Sequence, residues 1–63
     1  MRAWLRDIRK VKGLTQADVA KGAGICRSYY TVIENGKYIV PPKTAMKIAE
    51  VLGFDWTEFY KAG

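Results

Sequence analysis

Cys26 is the sequence's only thiol, and no histidine occurs in its 63 residues. An intramolecular disulfide is therefore impossible, and zinc sites built from Cys and His are excluded. The carboxylates do not converge at a spacing suited to general acid–base work. The chain is not expected to be an enzyme, and no metal or cofactor is expected. What the side chains do offer is positive charge: eleven Lys and Arg stand against six Asp and Glu, a formal net charge of +5. The excess is uneven. Residues 1–12 carry Arg2, Arg6, Arg9, Lys10 and Lys12 against Asp7, whereas residues 39–63 balance Lys43, Lys47 and Lys61 with Glu50, Asp55 and Glu58. A small basic domain attracts polyanions, nucleic acid first and anionic membrane second. Charge by itself does not separate these partners from a plain role in solubility.

The length allows one domain, residues 1–63, near the lower limit for folding without disulfides or metal. Apolar residues make up 49% of the chain, enough for a core. No apolar run approaches the roughly 18 residues of a membrane span. The start, "MRAWLRDIRK", is charged at helical spacing and lacks the apolar stretch of a signal peptide. A soluble, cytoplasmic protein with a reduced thiol is expected, with no membrane association.

The elements that must position any binding groups read as helices. "RAWLRDIRKVK" puts Trp4, Leu5, Ile8 and Val11 on one stripe, and Gly13 ends it as a C-terminal cap. Thr15 reads as the N-cap of a second helix, with Asp18 as capping-box partner and Leu14 and Val19 at staple spacing. This helix should end near Lys21 or Gly22. Cys26 takes the N-cap slot of a third, flanked by Ile25 and Tyr30, and Asn35-Gly36 closes it. "KYIV" reads as a loop. Residues 43–52 form a fourth helix with Ala45, Ile48, Ala49 and Leu52 inward, and Pro42 suits its first position. Asp55, Glu58, Phe54 and Phe59 repeat the start signal for a short fifth helix, 56–60. The expected fold is all-α, a compact bundle of five short helices.

"LTQADVAKGAGICRSYYTVIENG" holds the functional signal. Two helices of about two turns, joined by a tight glycine-bearing turn, form the helix-turn-helix pattern, here over residues 15–35. Gly24 supplies the positive φ of the turn, Ile25 plugs it, and Ala20 is small where the helices cross. This arrangement holds the second helix of the pair out from the body, so that its N-terminal half can enter a major groove.

Leu14-Thr15-Gln16, Ala20, Gly24, the apolar pair Tyr30 and Ile33, and Glu34-Asn35-Gly36 together resemble the Cro/C1-type, or Xre, helix-turn-helix family. The likeness continues into "LRDIRKVKG" before and "PKTAMKIAEVLG" after, about nine-tenths of the chain. It implies a lambda-repressor-like bundle that binds double-stranded operator DNA as a two-fold homodimer. Arg27, Ser28 and Val32 match positions that touch base edges; Arg27 has the two-pronged donor that guanine accepts, and Val32 suits a thymine methyl. Gln16 matches a phosphate-holding glutamine, in keeping with the free N–H groups of a helix start. Thr15, Tyr29, Thr31, Asn35 and Lys37 are placed for phosphates as well. Arg9 and Glu34 match a family ion pair between the first and third helices.

Some residues depart from the family pattern. Cys26 stands where Ser or Thr usually caps the recognition helix, Tyr30 stands where an aliphatic side chain is common, and Gly22 weakens the end of the second helix. Arg27, a cation at a helix N-terminus, is disfavoured by the dipole, so a simple surface role does not explain it. Trp56, Phe59 and Tyr60 read as core closure, with a dimer surface as the alternative. The expected function is a sequence-specific transcriptional regulator, a repressor without an effector domain of its own. The alternatives are an antitoxin or restriction controller of the same fold, regulated by a protein partner such as a toxin or anti-repressor, and a protein-binding module that has lost DNA. A cationic membrane-active peptide would need one long helix, which the caps forbid.

Overall fold

Thr15 begins its helix by the chemistry its sequence announces. In the computed structural model, which describes residues 2–37 and 39–61, the Thr15 hydroxyl accepts the Asp18 N–H at 3.1 Å. The Asp18 carboxylate in turn accepts the Thr15 N–H at 2.9 Å. This reciprocal box satisfies donors that a helix start leaves over. The hydrogen bond from the Thr15 backbone, with that from its side chain, holds the Asp18 carboxyl below its ordinary pKa.

The elements are α1, Ala3–Val11; α2, Gln16–Ala23; α3, Arg27–Glu34; α4, Pro42–Leu52; and a 3-10 helix, Trp56–Tyr60. Among the described residues there is no strand. The all-α architecture holds, but the fifth element is 3-10 and not α. Asp55 accepts from the N–H of Thr57 two residues on, at 3.0 Å, and Glu58 turns away to Lys61 at 2.6 Å. The expected Asp55–Glu58 capping box is therefore not made: in the longer rise of a 3-10 turn the cap reaches the second N–H instead of the third.

α2 runs to Ala23, slightly past the expected end. Gly24, at φ +72°, lets the chain turn. The Gly24 N–H returns to the Lys21 carbonyl and the Ile25 N–H to the Ala20 carbonyl at 3.0 Å. This is the paired closure of a Schellman motif. The same long return bond closes α1, α3 and α4, from Leu14 to Arg9, Lys37 to Val32 and Phe54 to Ala49.

The core lies between the helices: Leu5 of α1, Val19 and Ala20 of α2, Tyr30 and Ile33 of α3, and Ala45, Ile48 and Leu52 of α4 are all buried. α2 packs against both α3 and α4. Gly22 serves this crossing, since a Cβ there would sit 3.0 Å from Val51 Cγ2. Trp4 stacks edge-on against Phe54 and Phe59, with centroids 5.4 and 5.3 Å away. Val11 breaks from the expected stripe. It is 88% exposed, because the chain turns at Lys12–Gly13 and the half-buried Leu14 packs on the core from beyond the cap. In the loop after α3, Ile39 faces solvent and Val40 is buried, with the Val40 carbonyl accepting from the Tyr60 hydroxyl.

Arg2 has a structural role that its charge did not suggest. Its backbone N–H meets the Glu34 carbonyl at 2.8 Å, and its guanidinium donates to the Ile33 carbonyl. A cation at the C-terminal end of α3 is favourable to that helix's dipole.

α3 starts with no side-chain cap. Cys26 has the extended backbone of an N-cap, φ −78° and ψ 153°, but its sulfur makes no capping hydrogen bond, and the residue is exposed. Sulfur is a weak acceptor. Cys26→Ser should raise stability by about 0.5–1 kcal/mol, because the exposed thiol has little buried contact to lose. Thermal melts under reducing conditions check this; a serine variant that melts lower would show that the thiol's packing matters more than capping.

Candidate nucleic-acid interface

The N-terminal half of α3 opens toward solvent. Arg27 and Ser28 face solvent, Tyr29, Thr31 and Val32 are half-buried, and Asn35 and Lys37 are exposed at and just beyond the other end. The 3.6-residue period explains most of the split: Tyr30, Ile33 and Glu34 take the inner face, which leaves Ser28 and Val32 for the outer one, whereas Arg27 lies on the side of Tyr30 and Glu34 and reaches solvent because it opens the helix.

Beside this helix lies an open hollow lined by Arg9, Leu14, Thr15, Gln16, Ala17 and Arg27. It joins the start of α2 to the start of α3. The Gln16 and Ala17 N–H groups belong to the first turn of α2, which helix geometry leaves without intrahelical acceptors. The positive end of the α2 dipole and the Arg27 side chain therefore meet in one place, an arrangement suited to an anion.

Under the hollow sits a charged network. Glu34 is buried, 1% exposed, and its carboxylate accepts from Arg9 Nε at 3.0 Å and Arg9 Nη2 at 3.1 Å. Arg9 Nη1 donates to the Leu14 carbonyl at 2.9 Å. Gln16 Nε2 donates to Glu34 Oε1 at 3.2 Å, and the Thr31 hydroxyl donates to Gln16 Oε1 at 3.0 Å. Burial alone would raise the Glu34 pKa, but the hydrogen bonds, that from Arg9 foremost, outweigh it and hold the carboxyl below its ordinary value. The Tyr30 hydroxyl is buried beside Glu34, with no partner in hydrogen-bonding geometry among the described residues. Burial first, and the neighbouring Glu34 second, push its pKa above the ordinary phenol value, so it stays neutral.

The structure thus brings Arg9, Thr15, Gln16 and Arg27 together around the hollow, with Thr31 and Glu34 linked to them through the network. Ser28, Tyr29 and Val32 lie along α3, and Asn35 and Lys37 follow at its end. Arg9 is turned inward, its side chain 12% exposed, in the ion pair with Glu34 that the family likeness implied. One feature escaped the sequence reading: Gln16 is tied to Thr31, and their fifteen-residue separation gave no signal of it.

The helix-turn-helix family model matches residues 5–59. The chain belongs to this family, of the Cro/C1 type. It is similar to YqaF of Bacillus subtilis, an uncharacterized HTH-type transcriptional regulator, at 52% identity over 97% of this chain and 80% of that protein. It is also similar to the ImmF control region 10 kDa protein of Bacillus phage phi105, at 42% identity over 84% of this chain and 59% of that one. An uncharacterized HTH-type transcriptional regulator of Methanocaldococcus jannaschii shares 42% identity over 84% of this chain and 80% of its own length. No solved structure matches the chain. As a helix-turn-helix regulator it is a DNA-binding protein, and α2 and α3 are the two helices of the motif. Among the described residues no helix is long and apolar enough to cross a membrane.

Proposed function

We propose that the chain is a sequence-specific repressor that binds a two-fold operator as a homodimer, with α3 in the major groove. The observation that carries this reading is the start of α3: Arg27 and Ser28 stand in solvent on an uncapped helix end, beside the hollow that Gln16 and Thr15 share. A cation at the first helical position and a cap without a hydrogen bond both weaken the helix locally. Local rules broken in the same place point to a site kept for function.

In this reading Arg27, Ser28 and Val32 meet base edges, while Thr15, Gln16, Tyr29, Asn35 and Lys37 meet the sugar–phosphate backbone. The protein acts in the cytoplasm, where its DNA is. The phage relative, named as the ImmF control region 10 kDa protein, supports a control role, and repression is the form of it proposed for this chain.

Selection of bound sites from a random pool of duplex DNA tests the whole reading. The expected product is a two-fold motif whose half-sites lie about 10 base pairs apart, centre to centre. A single unpaired half-site would overturn the dimer, and no enriched motif would overturn sequence-specific binding.

A further inference from the structure

The Gln16 amide is fixed by two partners of opposite kind. The Glu34 carboxylate only accepts, so it demands an N–H, and Nε2 faces it at 3.2 Å. That leaves Oε1 for a donor, and the Thr31 hydroxyl supplies one at 3.0 Å. Both partners sit on α3, and Gln16 opens α2. The amide therefore spans the two helices of the motif with its orientation set, and one Nε2 hydrogen remains for a further acceptor. Gln16 lines the open hollow, so that acceptor can reach it. The single hydroxyl hydrogen of Thr31 is spent on Gln16 and cannot also be given to a phosphate.

We propose that Thr31 is a positioning residue for DNA binding: it acts through Gln16, by holding the amide so that its remaining N–H faces a DNA phosphate. This replaces the direct phosphate contact that the sequence suggested for Thr31. It rests on the reading of Gln16 as a phosphate ligand given above. With the hydroxyl in place, the amide oxygen is occupied and cannot turn its lone pairs toward the anion. A hydrogen bond accepted at Oε1 also polarises the amide and strengthens Nε2 as a donor. Without Thr31, Glu34 alone holds Gln16, and the amide is free to rotate about that bond.

The test is a binding cycle on the full chain with random-sequence duplex DNA at low salt, well below the melting temperature of each variant. Thr31→Val keeps the shape and removes the donor, and it is expected to weaken binding by on the order of fivefold, the scale of one hydrogen bond. Thr31→Ser restores the hydroxyl and should restore affinity. In a Gln16→Ala background Thr31→Val should have no further effect. Equal losses from Thr31→Val with and without Gln16 would show that Thr31 touches the phosphate itself, and the proposal would fail while Gln16 kept its role. Full affinity in Gln16→Ala alone would remove the phosphate reading of Gln16 and this inference with it.

Discussion

Replacing Arg9 with methionine is expected to destabilise the fold by about 3–5 kcal/mol, the scale for removing one partner of a buried ion pair. The Glu34 side chain is 2% exposed, so the substitution leaves a carboxylate in the interior without its cation, beside the neutral Gln16 amide and Tyr30 hydroxyl. It also frees the Leu14 carbonyl. A domain of 63 residues has a total stability on the order of 3–9 kcal/mol, so this variant sits at the edge of folding. Arg9→Lys keeps the charge without the fork that reaches both carboxylate oxygens, and should fall between the two. Converting both partners, Arg9→Met with Glu34→Leu, should cost less than Arg9→Met alone, because no charge is then stranded. Urea titration of the parent, Arg9→Met, Glu34→Leu and the double variant measures the coupling. Additive losses would mean that the pair contributes nothing as a pair.

The same carboxylate sets the response to acid. Burial works to raise the Glu34 pKa, yet the hydrogen bonds led by Arg9 bring the folded value below the ordinary one. A group depressed in the folded state stabilises above its unfolded pKa, near about 4.3 for Glu. That stabilisation is lost as pH falls through the folded value. Asp18 and Asp55 are depressed too, each chiefly by a hydrogen bond from the backbone it caps, so all three act in one direction. Melting temperature should hold between neutrality and about pH 5 and fall below it. Glu34→Gln should start less stable at neutral pH and lose less on the way down to pH 3. Parallel acid limbs for the two proteins would show that the Arg9–Glu34 contact is not what depresses Glu34.

What the sequence made legible were the features written in adjacent residues. Thr15 and Asp18 are three apart and close a capping box, and Gly24 turns left-handed where the helix pattern stops. Residue type and spacing specify such contacts almost alone. Val11 shows the limit: the helical period puts it on the stripe of Trp4 and Ile8, but periodicity does not say where a neighbouring helix stops covering the face. Gly22 is the converse case. It reads as a weak helix residue, and only the crossing of α2 and α4 shows that Val51 occupies the space a side chain would need. In the site, the outer face of α3 follows from its period, and the family likeness drew attention to Arg9 and Glu34. The Thr31–Gln16 link depends on the angle between α2 and α3, which neither spacing nor charge encodes.

Arg27→Ala and Gln16→Ala should weaken DNA binding in different ways. A side chain that reads a base favours one sequence over others, so losing it should narrow the gap between the selected site and random duplex. The expected loss at the selected site is about 1–3 kcal/mol, with a smaller loss on random duplex. A side chain that holds a phosphate favours all sequences alike, so Gln16→Ala should lower both affinities by the same factor. Stability separates these effects from misfolding. Arg27 is exposed, at the first position of α3, and its charge opposes the helix dipole there. Alanine is also the better helix former. The free Arg27→Ala domain should therefore melt no lower than the parent, even as it loses its preferred site. Paired titrations of both variants against the selected and a scrambled duplex, with melts of the unbound proteins, give every quantity needed. Equal proportional losses on the two duplexes for Arg27→Ala would move Arg27 from the bases to the phosphates, and α3 would then have to read sequence through Ser28 and Val32 alone.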